Sequence, residues 1–278
     1  MARWHEGRLW FAHWGAGEIV AVDMNGKSEV ITNKAPAGFG WSIDWLPDGR
    51  LLVSGKELMR MEPDGSMVRH ADLSSISELG WNDMVVDGRG NIYVNSINFT
   101  FLAGGQFKPG IMALVTPDGK ARKVADDLEF PNGIVISPDN ATLIVAESFA
   151  GRLTAFDIAA DGSLSNRRVW AEGRLGPDGI CMDAEGAIWV QGADIRAVTH
   201  RADSPEGVVL RMREGGEVLQ RIEHDKDIFS VTLGGPDGKT LFMLATEFRG
   251  ADKVKEVAEA RVGEVVISKV SVPGAGWP

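Results

Sequence analysis

The sequence predicts an all-β fold, namely a six-bladed β-propeller built from four-stranded blades. Three observations predict it: a turn-and-strand element recurs six times along the 278 residues, a second strand follows each copy, and helical periodicity is scarce. A β-sandwich would not explain so regular a recurrence. No linker-like stretch interrupts the repeats, and we therefore expect one domain over residues 1–278.

The first repeated element is a tight turn followed by an apolar strand. Its turns contain Asp-Gly, Glu-Gly or related pairs, which tolerate the positive φ angles of short hairpin loops. The six copies begin at His5, Pro47, Gly88, Pro138, Ala184 and Pro236.

The second repeated element is a strand in which apolar and polar residues alternate, as is typical of a strand with one buried face. Its copies begin at Gly17, Lys56, Gly110, Gly151, Gly207 and Gly263. The pairs of elements recur at intervals of about forty to fifty residues, which leaves room for two further strands in each unit. One segment, DKVKEVAEARVG from Asp252, has the pattern of a short helix.

Composition excludes several classes of partner. A formal net charge of −10 argues against nucleic acid and anionic membranes. No apolar run reaches the roughly 18 residues of a membrane span, and the N-terminus lacks a signal-peptide pattern. Cys181 is the single cysteine, so an internal disulfide is impossible and a reducing compartment is favoured. We expect a cytoplasmic protein, whose oligomeric state the sequence leaves open.

Three polar residues occupy equivalent positions in successive repeats: Asn82, Asn132 and Asp178. In a propeller blade the inner strand begins, and the second strand ends, on the same face beside the central channel. Amide and carboxylate oxygens converging there would suit Ca²⁺, Mg²⁺ or another divalent ion. Asn-Gly and Asp-Gly pairs are also excellent turn formers, so each pair taken singly has a simpler explanation.

Further candidates lie at the same strand ends. His13 and Glu147 are candidate acids or bases, although a polar rim residue and a solvated carboxylate are the alternatives. Residues expected to contact substrate are Asn82, Trp81, Trp41, Asn95 and Phe229. For the tryptophans, packing between blades is the alternative. The stretch FLAGGQFKPG from Phe101 is a long connection for this fold, and we expect it to form a lid.

The sequence resembles the senescence marker protein (regucalcin), gluconolactonase and luciferin-regenerating-enzyme-like family of six-bladed propellers. The matching segments include GWNDMVVDGRGNIYV, FPNGIVISPDNATLIVAES and GPDGICMDAEGAIWV, and they follow the family's order along nearly the whole chain. The resemblance implies hydrolysis of sugar lactones, or sometimes other esters, with one divalent metal held by a Glu, two Asn and an Asp. Asn132 and Asp178 match ligand positions, and Asn82 matches an Asn that contacts metal or substrate.

The sequence departs from the family in two places. The family's ligand Glu precedes an Arg-Trp pair that corresponds to Arg3 and Trp4, so it would fall just before Met1. The strand that closes the sixth blade is expected to be missing as well, and we hypothesise an upstream start or a truncated form. Gly80 stands where sugar-lactonase relatives often carry an Arg, which, together with Trp81, indicates a less polar or bulkier substrate.

The sequence therefore favours a metal-dependent hydrolase of lactones, in which a cation polarises the lactone carbonyl in the channel. Asp178 would bind the ion and accept a proton, with Glu147 or His13 as alternatives. The expected cation is Ca²⁺, with Mg²⁺, Mn²⁺, Zn²⁺ and Fe²⁺ as alternatives, and the expected partner is a small lactone or ester. A non-catalytic propeller that binds a ligand or metal, and a phosphotriester or other ester hydrolase at the same site, remain open.

Overall fold

The computed structural model describes residues 1–35, 40–173, 176–193, 207–247 and 253–276. Six antiparallel sheets follow one another along the chain. The first three each contain four strands. Blade 1 consists of β1 (Ala2–His5), β2 (Arg8–His13), β3 (Glu18–Val22) and β4 (Ser28–Thr32). Blade 2 consists of β5 (Ile43–Trp45), β6 (Leu51–Val53), β7 (Leu58–Met61) and β8 (Met67–Ala71). Blade 3 consists of β9 (Met84–Val86), β10 (Ile92–Ser96), β11 (Gly110–Val115) and β12 (Ala121–Leu128).

The fourth blade also contains four strands, and the last two blades are less regular. Blade 4 consists of β13 (Pro131–Ile136), β14 (Thr142–Glu147), β15 (Arg152–Ile158) and β16 (Leu164–Glu172). Blade 5 has an interrupted inner strand and consists of β17 (Gly176–Pro177), β18 (Cys181–Met182), β19 (Ile188–Ala193), β20 (Gly207–Met212) and β21 (Val218–His224). Blade 6 consists of β22 (Asp227–Gly234), β23 (Thr240–Thr246) and β24 (Glu264–Lys269), and the helix α1 (Val254–Ala260) precedes β24 where the sequence predicted one.

The inner strands close the blades into a ring. Each inner strand contacts those of the two neighbouring blades, and β1 contacts both β5 and β22. This confirms the six-bladed propeller. Among the described residues blade 6 has three strands, where the sequence analysis expected the closing strand to be missing, and β24 forms its outer edge.

The repeated turn has a structural cause that is visible in blades 3 and 5. The carboxylate of Asp87 accepts hydrogen bonds from the backbone N–H groups of Arg89 and Asn91, at 2.9 and 2.8 Å. Asp183 accepts equivalent bonds in blade 5. Gly90 adopts φ of +82°, which glycine reaches without steric cost. The Asp-x-x-Gly pattern therefore marks the hairpin that joins the first two strands of each of these blades.

Apolar side chains pack between neighbouring blades, and two residues expected to contact substrate belong to this core. Trp41 packs between blades 1 and 2, and Trp81 packs between blades 2 and 3. Each exposes only 1% of its surface. The inter-blade packing alternative therefore describes both tryptophans better than a pocket wall does. Within the described ranges, the chain has no helix that is long and apolar enough to cross a membrane.

Candidate functional site

The channel brings Asn82, Asn132 and Asp178 together at the entries of three successive inner strands. The Asn82 Nδ2 atom lies 3.4 Å from the Asn132 Oδ1 atom and 3.3 Å from the carbonyl oxygen of Pro131. Asn132 in turn hydrogen-bonds the side chain of Asp178. The three side chains thus form one connected group.

The glycines that follow Asn132 and Asp178 do not form turns. Neither Gly133 nor Gly179 has a positive φ. The Gly133 N–H donates to the Asp178 carbonyl oxygen at 3.0 Å, and a Cβ at residue 133 would lie 2.4 Å from that oxygen. Glycine is needed here because two inner strands approach each other closely, which argues against the turn-former explanation of the Asn-Gly and Asp-Gly pairs.

Asp178 keeps some exposure, and the charge of its carboxylate is compensated only in part. Burial raises the pKa of Asp178 to about 7, and the nearby negative charge of Asp83 adds to this effect. The positive N-terminal amine and the hydrogen bond from Asn132 act in the opposite direction without cancelling it. A group that is costly to ionise in the bare protein is suited to bind a positive charge.

A buried layer beneath the site holds the two asparagine-bearing strands in place. Asn95 exposes none of its surface. Its Nδ2 donates to the Asn132 carbonyl oxygen at 2.6 Å, and its Oδ1 accepts from the backbone N–H of Asp83 at 3.3 Å. The Asp83 carboxylate also accepts from the backbone N–H of Ile134 at 3.0 Å. Asn95, predicted to contact substrate, therefore contacts the backbone of the site instead.

Sequence reasoning missed Arg3, Asp83 and Ser148. The Arg3 guanidinium is buried and donates to the Met84 carbonyl oxygen at 2.7 Å, and it lies 3.4 Å from the carboxylate of Asp83. The Ser148 Oγ accepts a hydrogen bond from the Asn132 Nδ2 at 3.3 Å. A charged residue inside a short apolar strand was the available signal for Arg3, and Asp83 directly follows a residue that the repeats had singled out.

Glu147 lies outside the connected group. Its carboxylate is fully buried and accepts hydrogen bonds from Arg152 Nε at 2.9 Å, from the backbone N–H of Glu129 at 2.6 Å and from the hydroxyl of Thr154. Burial by itself would raise the pKa of Glu147, but these bonds hold it below its usual value. A carboxylate with such partners stabilises blade 4 and is a poor base.

The two remaining candidates, His13 and Phe229, contact residues outside the group of Asn82, Asn132 and Asp178. His13 is half-buried and its Nδ1 lies 3.5 Å from the carboxylate of Glu18 on the adjacent strand. Phe229 lies at a bulge in β22, and its carbonyl oxygen accepts the Gly179 N–H at 3.1 Å. Its half-buried ring remains a proposed substrate contact.

Two clusters are possible metal sites within the described ranges, and their chemistry differs. Asn82, Asn132 and Asp178 offer neutral amide oxygens and one carboxylate, the donor types that Ca²⁺ takes. His224, Asp225 and Glu264 also gather within 4.8 Å of one another near the outer strands. There, however, the Lys226 ammonium lies 3.0 Å from Glu264, and the His224 Nδ1 already accepts the Lys226 N–H. Because a lysine occupies the second cluster, the channel group fits a divalent cation better.

Comparisons with known proteins agree with this architecture. The chain is 29% identical over 189 residues to a 6-deoxy-6-sulfogluconolactonase of Pseudomonas putida, a match that covers 64% of this chain and 60% of that protein. It is 28% identical to the diisopropyl-fluorophosphatase of Loligo vulgaris, over 63% of each chain. The matched region thus spans less than two thirds of the length of these relatives. A solved regucalcin from Agrobacterium tumefaciens, described as a calcium-binding protein, superimposes with a TM-score of 0.76 at 22% identity, covering 98% of this chain and 89% of the other.

A sequence model of one family spans most of the chain. The model, described as the SMP-30/Gluconolactonase/LRE-like region, matches residues 2–247. Its matched range includes all three members of the connected channel group and both glycines behind it. The chain therefore belongs to the SMP-30/gluconolactonase/LRE-like family.

Proposed function

We propose that the protein is a metal-dependent hydrolase of lactones, with its active site at Asn82, Asn132 and Asp178. The observation that carries the proposal is the connection of these three side chains, in which Asn132 contacts both Asn82 and Asp178 and burial raises the pKa of the Asp178 carboxyl. Similarity to a sulfogluconolactonase supports the reaction class. The cation proposed first is Ca²⁺, because neutral amide oxygens and a carboxylate are its usual ligands.

The residues of the proposed site have different roles in the reaction. When bound, a divalent cation supplies Lewis acidity at the carbonyl oxygen of the substrate, where negative charge develops during attack. Asn82 and Asn132 would hold the cation in position. The side-chain amide of Asn132 is fixed by its hydrogen bond to Ser148, and the Asn132 backbone is fixed by the bond from Asn95. Asp178 accepts the proton of the attacking water. As the carbonyl carbon gains the water oxygen, the ring C–O bond breaks, and the released alkoxide takes up a proton to give the hydroxy acid.

A second candidate is phosphotriester hydrolysis at the same site. Similarity to a diisopropyl-fluorophosphatase favours it, because that name describes hydrolysis at phosphorus. The phosphoryl oxygen would occupy the position of the lactone carbonyl. A dialkyl fluorophosphate assayed beside the lactones compares the two reactions directly.

The test measures metal content and turnover together. Protein purified without chelator is analysed for bound metals, stripped, and reloaded separately with Ca²⁺, Mg²⁺, Mn²⁺ and Zn²⁺. Each form is assayed on a panel of lactones. We expect stripping to abolish hydrolysis and one cation to restore it. A protein that binds metal and lactone but never releases hydroxy acid would be a binding propeller, and the proposal would fail.

Matched aspartate variants locate the site. Asp178→Asn should lower kcat/KM by about 100-fold or more, since even residues that only support metal ligands contribute roughly 10- to 100-fold. The control is Asp225→Asn in the outer His224 cluster, where the side chain is 87% exposed. The control should retain metal binding and turnover. Loss of metal in the control and not in Asp178→Asn would move the site to the outer cluster.

A further inference from the structure

Five phenylalanines form one aromatic cluster, which we call the phenylalanine wall. Their ring centroids lie 4.6 to 6.1 Å apart in a connected set, within the range at which aromatic rings attract one another. The members are Phe99, Phe101, Phe107, Phe130 and Phe149. They come from the connection between β10 and β11, from the entry of β13 and from the end of β14, three segments that are far apart in sequence.

The wall is attached to the candidate active site through the backbone. Phe130 directly precedes Pro131 and Asn132, and Phe149 follows Ser148, whose Oγ contacts Asn132. The Ser148 N–H donates to the Phe130 carbonyl oxygen at 3.0 Å. Phe130 and Phe149 stack at 4.6 Å with an interplanar angle of 29°. The apolar cluster therefore begins at the residues that flank the site.

The backbone of Phe130 is held in a conformation that a bulky residue rarely adopts. Its φ is +61°, in the left-handed region that costs on the order of 1 kcal/mol or more for such a side chain. The surrounding structure maintains it through the bond from Ser148 and through its own N–H, which donates to the Leu128 carbonyl oxygen at 3.1 Å. The strained backbone keeps this ring in the wall, next to Asn132.

The wall is open to solvent on one side. Phe107 exposes 41% of its surface, and the neighbouring Leu102 exposes 45%. Phe101 and Phe149 are partly buried, so the rings do not close upon themselves as a core cluster would. Large apolar side chains left accessible beside a polar site indicate a place for an apolar group.

Gly80 precedes Trp81 and Asn82, and the backbone of blade 2 lies close to it. At Gly80, an added Cβ would lie 3.2 Å from the Gly55 carbonyl oxygen and 3.7 Å from the Lys56 Cα. A side chain at this position would therefore press on the backbone of blade 2. Glycine keeps residue 80 free of a polar side chain next to the site.

We propose that the phenylalanine wall binds the apolar substituent of the substrate, so that the preferred lactone or ester carries an alkyl or aryl group and not several hydroxyls. The inference rests on the proposed hydrolase function, whose substrate class it names. Phe107 and Leu102 set specificity, and Phe130 and Phe149 join the wall to Asn132. The connection from Phe101 to Gly110 thus acts as a side wall of the site.

The first experiment varies substituent length on a constant ring. The reloaded full chain is assayed on δ-hexanolactone, δ-octanolactone, δ-decanolactone and glucono-δ-lactone. We expect kcat/KM to rise roughly two- to fourfold for each added methylene that the wall covers. Glucono-δ-lactone should be the poorest substrate. A flat series, or a preference for glucono-δ-lactone, would overturn the inference and leave the hydrolase proposal intact.

Substitutions on the exposed side of the wall test its location. Phe107→Ser and, separately, Leu102→Ser should lower kcat/KM on δ-decanolactone by roughly tenfold while δ-hexanolactone is affected less than twofold. The control is Ile267→Ser, which removes an equally apolar side chain that is 60% exposed on the distant strand β24. Thermal unfolding identifies any variant that fails to fold, in which case the other variant decides. Equal losses on both substrates would show a structural role and contradict the proposal.

A binding measurement separates failure of the wall from failure of the hydrolase function. The matching 6-alkyl-piperidin-2-ones keep the ring and replace the labile ring oxygen with N–H, and their Kd can be measured by calorimetry. Tighter binding with longer alkyl groups, lost in Phe107→Ser, supports the wall even if no lactone is turned over, an outcome that would refute only the hydrolase proposal. Length-independent binding refutes the wall whatever the turnover.

Discussion

Glu147 and Asp178 are two acids at the channel ends of neighbouring blades, and the structure treats them in opposite ways. Glu147 is the more deeply buried, yet its pKa lies below the usual value because Arg152, Thr154 and the Glu129 N–H outweigh the effect of burial. Asp178 keeps some exposure, yet burial raises its pKa to about 7, because the N-terminal amine and Asn132 offset the effect only in part. Arg167 adds a fourth contact to Glu147, at 3.4 Å.

The difference teaches that burial alone does not identify a reactive carboxylate. The lone pairs of Glu147 are directed at donors of its own blade, so little of its charge is available to a ligand. In Asp178 the N-terminal amine and one hydrogen bond from the Asn132 side chain favour the ionised form, but together they do not offset burial and the nearby charge of Asp83. The number and charge of the partners, and not the depth, decide which acid can receive a cation and a proton.

The largest expected effect is on stability. Glu147→Ala should lower the free energy of unfolding by roughly 3 kcal/mol, the low end for a broken buried ion pair, because Arg152 and Arg167 keep partial access to water. Urea unfolding of the stripped protein measures it. Activity per folded molecule should stay within about twofold of the parent. Asp178→Asn should instead lose activity and keep stability, since a neutral amide avoids the burial cost that raises the pKa of Asp178. If Glu147→Ala unfolded like the parent and lost turnover, the roles of the two acids would be reversed.

The next effect concerns the buried layer that supports the site. Asn95→Ala removes the hydrogen bonds to the Asn132 carbonyl and from the Asp83 N–H, and should weaken divalent-cation affinity by about 10- to 100-fold. The matched control is Asn91→Ala, which removes a buried asparagine just before the opposite end of β10, where its Nδ2 donates to the hairpin aspartate Asp87. Calorimetric titration with Ca²⁺ compares the two. Equal losses of affinity would mean that general destabilisation of blade 3, and not positioning of Asn132, explains the effect.

The sequence predicted the position of each residue along its strand much better than the direction of its side chain. The repeats predicted the six blades and the positions of Asn82, Asn132 and Asp178 at equivalent strand entries. They did not predict the surroundings of Trp41 and Trp81, which also precede inner strands but are buried between blades. A related difficulty is visible in β13, where the register shifts between Pro131 and Ile134, on either side of Asn132. Such a bulge interrupts the alternation of side chains between the two faces of a sheet, so the position of a residue along a strand does not by itself predict which way its side chain points.

The phenylalanine wall illustrates a second limit. The long connection from Phe101 was predicted to be a lid from its length alone, and nothing in that stretch indicates that its rings meet Phe130 and Phe149. Contacts between residues about 30 to 50 positions apart depend on how neighbouring blades align, which is a property of the ring. Similarly, the bond between Ala2 and Ser230 spans 228 residues and exists because the first and last blades meet. Tertiary closure, which is absent from any local pattern, decides these contacts.

The smallest expected effect distinguishes the two acids by pH. The pKa of Glu147 is lower in the folded protein than in the unfolded chain, so its ionised form adds stability that is fully present above the unfolded pKa of about 4.3. That stability is lost as the pH falls through the folded pKa. Glu147→Gln, which keeps the shape of the side chain, should therefore lose less stability than the parent between pH 5 and pH 3, although it starts from a lower value at pH 7. Urea midpoints of stripped protein at each pH measure the two slopes. Parallel slopes would mean that the Arg152 and Thr154 contacts stabilise the neutral and ionised forms equally, and the contrast with Asp178 would then rest on exposure alone.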